Sequence, residues 1–336
     1  MMCPRPKSRM LVLELWGLGD LALASAFLRA ASESYDVTLL ARPMADELRA
    51  RFWPKVELIK FNAPWTAFER KYHIWRWPAK TIHDLLRRIR NLEFEIAVSV
   101  RSDPRDHLLM ALAGATRRLG FPRWYSRQLL TEVIPCPTGV THRFARWEKL
   151  ANALGLELRS KRELPGLRKV GPVVIHTGAG QEIRVWPLER YAGLVRRLRK
   201  DDYFVQVICD ADQLGFWLGQ GEMAVVPRSP GELLDLLGSA AVVVGNDSGP
   251  GHLAALSGIP TFTIFGPQLP ALFAPVHPAA EWIEGAPCPY KPCYDQCHFR
   301  AAHCLLDLDE VSVWKKLQGF VARWVAIPEL IKPRLV

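Results

Sequence analysis

Directly after the β-branched run Val242-Val243-Val244, the chain reads Gly245-Asn246-Asp247-Ser248-Gly249-Pro250-Gly251-His252. An apolar segment continues to Leu256, and a second strand-like run starts near Pro260. That is the grammar of a strand, a turn, a helix and a strand. The first N–H groups of a helix lack intrahelical partners and carry the positive end of its dipole, so a turn of small residues at this point suits a phosphate. Asp247 or Ser248 as a simple helix cap accounts for one residue. It leaves two glycines, a proline and a histidine unexplained.

Two further sets of residues carry chemistry. In Leu13-Glu14-Leu15-Trp16-Gly17-Leu18-Gly19-Asp20, a strand ends and a helix opens. An aspartate at that rim is ordinarily ionised and can take a proton from a positioned hydroxyl; the plain alternative for Asp20 is a helix cap. The turn His176-Thr177-Gly178-Ala179-Gly180 is followed by Arg184, Trp186 and Pro187. Small residues let a diphosphate approach the backbone, and Arg184 can neutralise the charge of a departing nucleotide in place of a metal. Gly17 and Gly19 imitate a dinucleotide fingerprint, but Leu21 and Ala22 stand where a third glycine is needed.

These motifs need strands to hold them. Short apolar runs alternate with helix-like segments, which predicts parallel sheets covered by helices. Strands are expected near 10–15, 36–40, 56–60, 94–98 and 117–120, then near 173–176, 204–209, 223–226, 241–245 and 261–265. Helices are expected at 141–155, with Gly155 as its stop, and at 188–199, 250–258 and 311–325, the last with Asp307 and Glu310 at capping-box spacing. Two Rossmann-like domains follow, 1–160 and 171–336, joined by a basic linker at about 158–171. Ligands of open parallel sheets bind beyond the carboxyl ends of the strands.

The run Asp247, Ser248, Gly249, Pro250, His252, Leu253, Ala254, followed by Phe265, Gly266 and Pro267, resembles the donor-site signature of the family-9 glycosyltransferases, the lipopolysaccharide heptosyltransferases. Other blocks of that family recur in order. The Gly19-Asp20 pair matches the place of its proposed catalytic base, and Arg184-x-Trp186-Pro187 matches its cationic residue and Trp-Pro pair. The resemblance implies a GT-B α/β fold, two Rossmann-like domains with parallel sheets facing a cleft. The terminal helix 311–325 is then expected to cross back to the first domain. It further implies an inverting, metal-independent transfer of heptose from an ADP-sugar to an anionic lipopolysaccharide-core-type acceptor. Asp20 is then the base, and Thr177, Gly178, Arg184, Asp247, Ser248, Gly249 and His252 hold the donor. One departure is Ala26, where the family usually has a proline. A sugar-nucleotide epimerase of the same fold and a non-catalytic membrane-associated scaffold are the competing readings.

Composition bounds the partners. The chain has 336 residues, 49% of them hydrophobic, and a net charge of +10. Residues 1–165 hold 28 Lys+Arg against 17 Asp+Glu, and the remainder 16 against 17. A basic first half suggests an anionic partner; without a zinc-finger spacing or an RNA-binding aromatic motif, nucleic acid is the weaker choice. Over residues 65–80, Trp65, Phe68, Tyr72, Trp75 and Trp77 are mixed with Arg70, Lys71, Arg76 and Lys80; this surface of aromatics and cations, Arg70, Lys71, Trp75, Arg76 and Trp77 above all, suits an acidic headgroup layer or a phosphorylated acceptor. Residues 82–92 are read as ordinary helix packing. Glu14 and Asp20 interrupt the one signal-like run near the start, so a cytoplasmic protein, at most peripheral to the inner membrane, is expected. Cys288, Cys293, Cys297 and Cys304 crowd one segment. Such a quartet is able to hold a structural zinc; free thiols and two disulfides remain the alternatives. No catalytic metal is assigned to the Asp210/Asp212 or Asp307/Asp309 pairs.

Overall fold

The computed structural model describes residues 7–67, 73–158 and 169–327. The chain forms two compact units, residues 1–160 and 161–336. Most of the expected linker, together with Phe68, Arg70, Lys71 and Tyr72, lies outside the described residues.

The first unit contains β1 (Arg9–Glu14), α1 (Leu18–Ser34), β2 (Asp36–Ala41), α2 (Ala45–Phe52), β3 (Glu57–Lys60), α3 (Ala79–Asn91), β4 (Ile96–Ser99), α4 (Pro104–Leu112), β5 (Arg117–Gly120), β6 (Glu132–Val133) and α5 (Phe144–Ala153). All pairings are parallel, in the order β3-β2-β1-β4-β5-β6. Central β1 buries the consecutive apolar residues Met10, Leu11, Val12 and Leu13, as a strand covered on both faces requires, together with Glu14 at its end. α1 buries Leu21, Ala24, Phe27, Leu28 and Ala31, spaced at the helical period. Phe27 meets Trp147 of α5 with ring centroids 5.0 Å apart. Gly155, at φ +68°, stops the chain after α5, the left-handed role for which glycine is suited.

The second unit contains β7 (Val173–His176), α6 (Leu188–Lys200), β8 (Val205–Ile208), α7 (Leu214–Gly219), α8 (Pro230–Ser239), β9 (Val242–Asn246), α9 (Gly249–Leu256), β10 (Thr261–Phe265), α10 (Pro270–Phe273), β11 (Ala280–Glu284), α11 (His303–Leu306) and α12 (Glu310–Trp324). Its parallel sheet runs β11-β10-β9-β7-β8. Trp186, Tyr191, Trp217 and Phe262 fill the core, and Val313, Leu317 and Phe320 of α12 complete it. The described residues of the last helix therefore pack on their own unit. Its cap is Asp309, which accepts from the Ser312 N–H at 2.8 Å, not the expected Asp307.

Two strands escaped the sequence reading. β6 is two residues long, and β11 reads Ala-Glu-Trp-Ile-Glu at a half-exposed sheet edge. In the other direction, 223–226 is no strand; it contributes a single bridge from Val225 to Ile208. Among the described residues no helix is long and apolar enough to cross a membrane.

Each sheet reverses its direction of growth once. In the first unit the reversal lies between β1 and β4, in the second between β7 and β9. Ligands of open α/β sheets bind beyond the strand ends at such points. The first turn of α1 carries Asp20 there in one unit, and the loops there carry Gly178 and Asp247 in the other.

Candidate functional site

In the first unit, Gly17 occupies the cap position of α1 and Asp20 lies in the first helical turn. The carboxylate is therefore not a cap. It meets two guanidinium groups instead. Arg101, just beyond β4, donates from Nη2 to Asp20 Oδ1. Arg143, just before α5, places Nη1 3.5 Å from the same oxygen. Both contacts fall on Oδ1, and Oδ2 has no hydrogen-bond partner among the described residues. Arg101 also lies 4.5 Å from the centre of the Trp16 ring, a cation–π contact that limits its freedom. Burial pushes Arg143 down to about 10, with the Arg101 charge adding to the effect.

Glu14 lies beneath this cluster, 1% exposed. Its Oε1 accepts from the Trp16 N–H at 3.3 Å. Burial pushes its carboxyl up to about 8; Arg101 opposes the shift, while Asp20 and Asp106 add to it. Glu14 is therefore held protonated at neutral pH. Asp106 is buried as well and accepts from Trp65 Nε1 at 3.0 Å and Ser99 Oγ at 3.2 Å. Burial pushes it up to about 6.

Glu14 makes stability depend on pH. The unfolded side chain loses its proton near 4.5 and the folded one near 8. Between these values the folded state binds the extra proton, so stability falls as pH rises through that window. We expect Glu14→Gln to match the wild type in denaturant unfolding at pH 4 and to exceed it at pH 8. A constant difference across that range would contradict the assignment.

In the second unit, Asn246 ties three loops together. Its Nδ2 donates to Thr177 O at 2.9 Å and Gly178 O at 3.3 Å. Its Oδ1 accepts from the Trp186 N–H at 3.0 Å and the Tyr191 hydroxyl at 2.9 Å. All four capacities of the amide are used. The glycines pack closely against these loops: a Cβ at Gly245 would stand 2.7 Å from His176 O, and one at Gly178 would stand 2.3 Å from the Asp210 carboxyl. Burial pushes His176 down to about 4, which keeps it neutral.

Ser248 stands at the cap position of α9, yet its side chain caps nothing; the hydroxyl donates to Asn246 O at 3.3 Å. The capping explanation of this turn therefore fails at Ser248. Gly249 opens the helix, and His252 is buried in its first turn. Arg184 brings Nη1 to 3.4 Å from both the backbone oxygen and Oδ2 of Asp247. Thr177 behaves differently from the expectation, because its hydroxyl donates to Gln213 Oε1 at 2.8 Å and accepts from Trp217 Nε1 at 3.3 Å. Its side chain holds the turn from inside.

The family model described as glycosyltransferase family 9 (heptosyltransferase) matches residues 82–303. The chain belongs to that family. It is a glycosyltransferase, so the scaffold and epimerase readings give way. The match takes in Arg184 and the β9–α9 turn, while Asp20 lies before it. A search of the curated proteins found no match. Among solved structures, the family-9 glycosyltransferase of Veillonella parvula aligns at a TM-score of 0.75 and 16% identity, covering 95% of this chain and 99% of that one. The ADP-heptose lipopolysaccharide heptosyltransferase II of Escherichia coli aligns at 0.69 and 18%, covering 94% and 98%. The E. coli heptosyltransferase WaaC with ADP aligns at 0.70 and 14%, covering 93% and 99%. At such identities the likeness establishes the fold, GT-B with two parallel-sheet α/β domains.

Within this family-9 chain, other expectations need correction. Trp65, at first grouped with the surface aromatics, is 4% exposed. Trp77 is half-buried against it, with ring centroids 5.5 Å apart. Trp75 is 75% exposed and Arg76 lies on the surface beside it; Arg70 and Lys71 lie outside the described residues. Leu85 and Ile89 pack α3 on the sheet, as expected.

Cys288, Cys293, Cys297 and Cys304 are free thiols, and among the described residues no three His, Cys, Asp or Glu side chains converge to hold a metal ion. Cys293 Sγ lies 3.9 Å from Pro267 O and Cys297 Sγ 3.8 Å from Ala301 O, while burial pushes the Cys304 thiol up and the neighbouring Cys288, Cys293 and Cys297 add to the shift. Neither disulfide is formed, and a structural zinc is not evidenced by this arrangement. The segment contributes a carboxylate, because Asp295 accepts from Arg184 Nε and Nη2, each at 2.6 Å.

Sequence reasoning missed Glu14, Arg101, Arg143, Asn246 and Asp295 as site residues. For Arg101 a signal was present, since it is the first cation beyond an apolar strand at the reversal point. Asp295 offered none, being surrounded by more conspicuous cysteines.

Proposed function

We propose that the chain is an inverting, metal-independent glycosyltransferase that moves heptose from ADP-heptose to an anionic acceptor of the lipopolysaccharide-core type. The observation that carries the donor half is Arg184 beside Asp247 at the N-terminus of α9. A guanidinium and unpaired helix N–H groups suit a diphosphate whose charge grows as its bond to the sugar breaks. Gly178, Ser248 and Gly249 supply close backbone approach, and Asp247 and His252 take sugar or phosphate oxygens. The ADP named with the E. coli relative supports an adenine nucleotide.

In the first unit, Asp20 is the general base. Its Oδ2 takes the proton of the acceptor hydroxyl; the acceptor oxygen bonds to the anomeric carbon, and the bond to the diphosphate oxygen breaks on the opposite face. The electron pair leaves with the diphosphate, which Arg184 stabilises. Arg101 and Arg143 hold the base and add positive charge for an anionic acceptor. Exposed Trp75 with Arg76 suits shallow contact with an acidic glycolipid surface at the cytoplasmic face of the inner membrane.

Calorimetry with ADP-, UDP- and GDP-heptose in the presence of chelator tests donor class and metal independence together. We expect binding of the ADP-sugar, weaker by about 10-fold or more for the others, and turnover that chelator does not change. Loss of turnover on chelation, restored by a divalent cation, would reject metal independence; preference for a pyrimidine donor would reject the ADP assignment.

A further inference from the structure

The Arg184 guanidinium is held in far better geometry by Asp295 than by the Asp247 turn. Asp295 takes its Nε and Nη2 in a two-point, fork-to-fork arrangement at 2.6 Å each. Nη1, by contrast, points at the Asp247 turn, 3.4 Å from its oxygens. Asp295 is itself held: Gln268 Nε2, in the loop after β10, donates to its Oδ1 at 3.2 Å. Tyr294 and Asp295 have φ of +51° and +69°, two successive non-glycine residues in the left-handed region. Such backbone persists where the surroundings over-determine it. The carboxylate is thus carried to Arg184 by a segment with no other evident business at the donor turn.

We propose that Asp295 is a positioning residue for the donor site. It fixes the plane and rotamer of the Arg184 guanidinium so that the Nη1 end faces the diphosphate. The inference rests on the reading of Arg184 as the donor cation. An arginine side chain loses considerable rotamer freedom when it engages a ligand, and a planar fork already pinned along one edge loses less. The arrangement also makes the cysteine-bearing segment 288–304 a determinant of donor affinity, although its thiols do not reach the turn. The rival reading is an internal competitor, a carboxylate occupying the place of the phosphate. The two differ in sign.

The test is ADP calorimetry and steady-state kinetics on Asp295→Asn, Arg184→Ala, Arg184→Lys and the double variant Arg184→Ala/Asp295→Asn. Asparagine keeps the size of the side chain and an acceptor for Gln268 but lacks the charge. We expect Asp295→Asn to raise the ADP Kd and the donor KM by about 10-fold, with the acceptor KM unchanged. Arg184→Lys, which a carboxylate cannot grip at two points, should weaken ADP binding similarly. In the Arg184→Ala background, Asp295→Asn should add nothing, since coupled residues are non-additive. Tighter ADP binding by Asp295→Asn would overturn the proposal in favour of the competitor. An additive double variant, or a lowered Tm with unchanged ADP Kd, would reduce Asp295 to a structural residue. If Arg184→Ala leaves the ADP Kd unchanged, the donor-site reading itself fails; if it weakens binding while Asp295→Asn does not, only the positioning role fails.

Discussion

Replacing Asp20 by asparagine should lower kcat by about 10²- to 10⁴-fold while ADP binding stays within about twofold of the wild type. The substitution keeps an oxygen for the Arg101 contact and removes the ability to take a proton. Its effect is therefore expected on turnover, not on the donor. Asp20 and Arg184 belong to different compact units, which makes independence of donor binding a sharp requirement. Single-turnover kinetics beside ADP calorimetry would read both. Retained turnover would remove Asp20 from the chemistry, and a parallel loss of ADP binding would mean that the first unit had been damaged instead. Arg101→Ala is not a substitute for this test, because it would release both Asp20 and the Trp16 ring.

The second large effect is structural. Asn246→Leu should destabilise the second unit by several kcal/mol, on the order of 1–3 kcal/mol for each buried group left without a partner. The Trp186 N–H and the Tyr191 hydroxyl lose their acceptor and cannot reach water from their buried positions, whereas the Thr177 carbonyl keeps the Gln213 amide at 3.3 Å. Asn246→Asp is the more telling variant, since it keeps two acceptors for the Trp186 N–H and the Tyr191 hydroxyl but faces the carbonyls of Thr177 and Gly178 with no donor. Hydrogen exchange would localise the damage. We expect lost protection along β7, β9 and the start of α6, with β1 and β4 unchanged. Uniform loss in both units would show that Asn246 serves global stability instead of joining these loops.

The legible parts of the site are those written locally. The β9–α9 turn announces itself because strand, small-residue turn and helix follow one another within a dozen residues, and Asp20 lies in a similar unit. The central strands were legible for the same reason, as continuous apolar runs. What escaped depends on contacts between distant positions. Arg101 reaches Asp20 across 81 residues and Arg184 reaches Asp295 across 111. Trp65 was misplaced on the surface because it sits among cations; a bond from its indole to Asp106 draws it inward. Edge strands β6 and β11 were missed because a short or half-polar edge lacks the uniform apolar character of the centre. The cysteines drew attention to a metal by type and spacing, whereas the contact their segment makes with the donor side runs through an aspartate between them.

The place of α12 bears on how the chain is made. Val313, Leu317 and Phe320 are among the last described residues, yet they close the core around Trp186 and Phe262. During synthesis the first unit has its full set of elements, through α5, before β7 has begun to emerge. It can fold on the ribosome as the remainder is translated. The second unit lacks one wall until the ribosome has passed residue 320 and the segment has cleared the exit tunnel. Its donor loops therefore mature only after α12 has been made, and a nascent chain stalled before α12 would carry an organised Asp20 cluster with no finished place for the nucleotide.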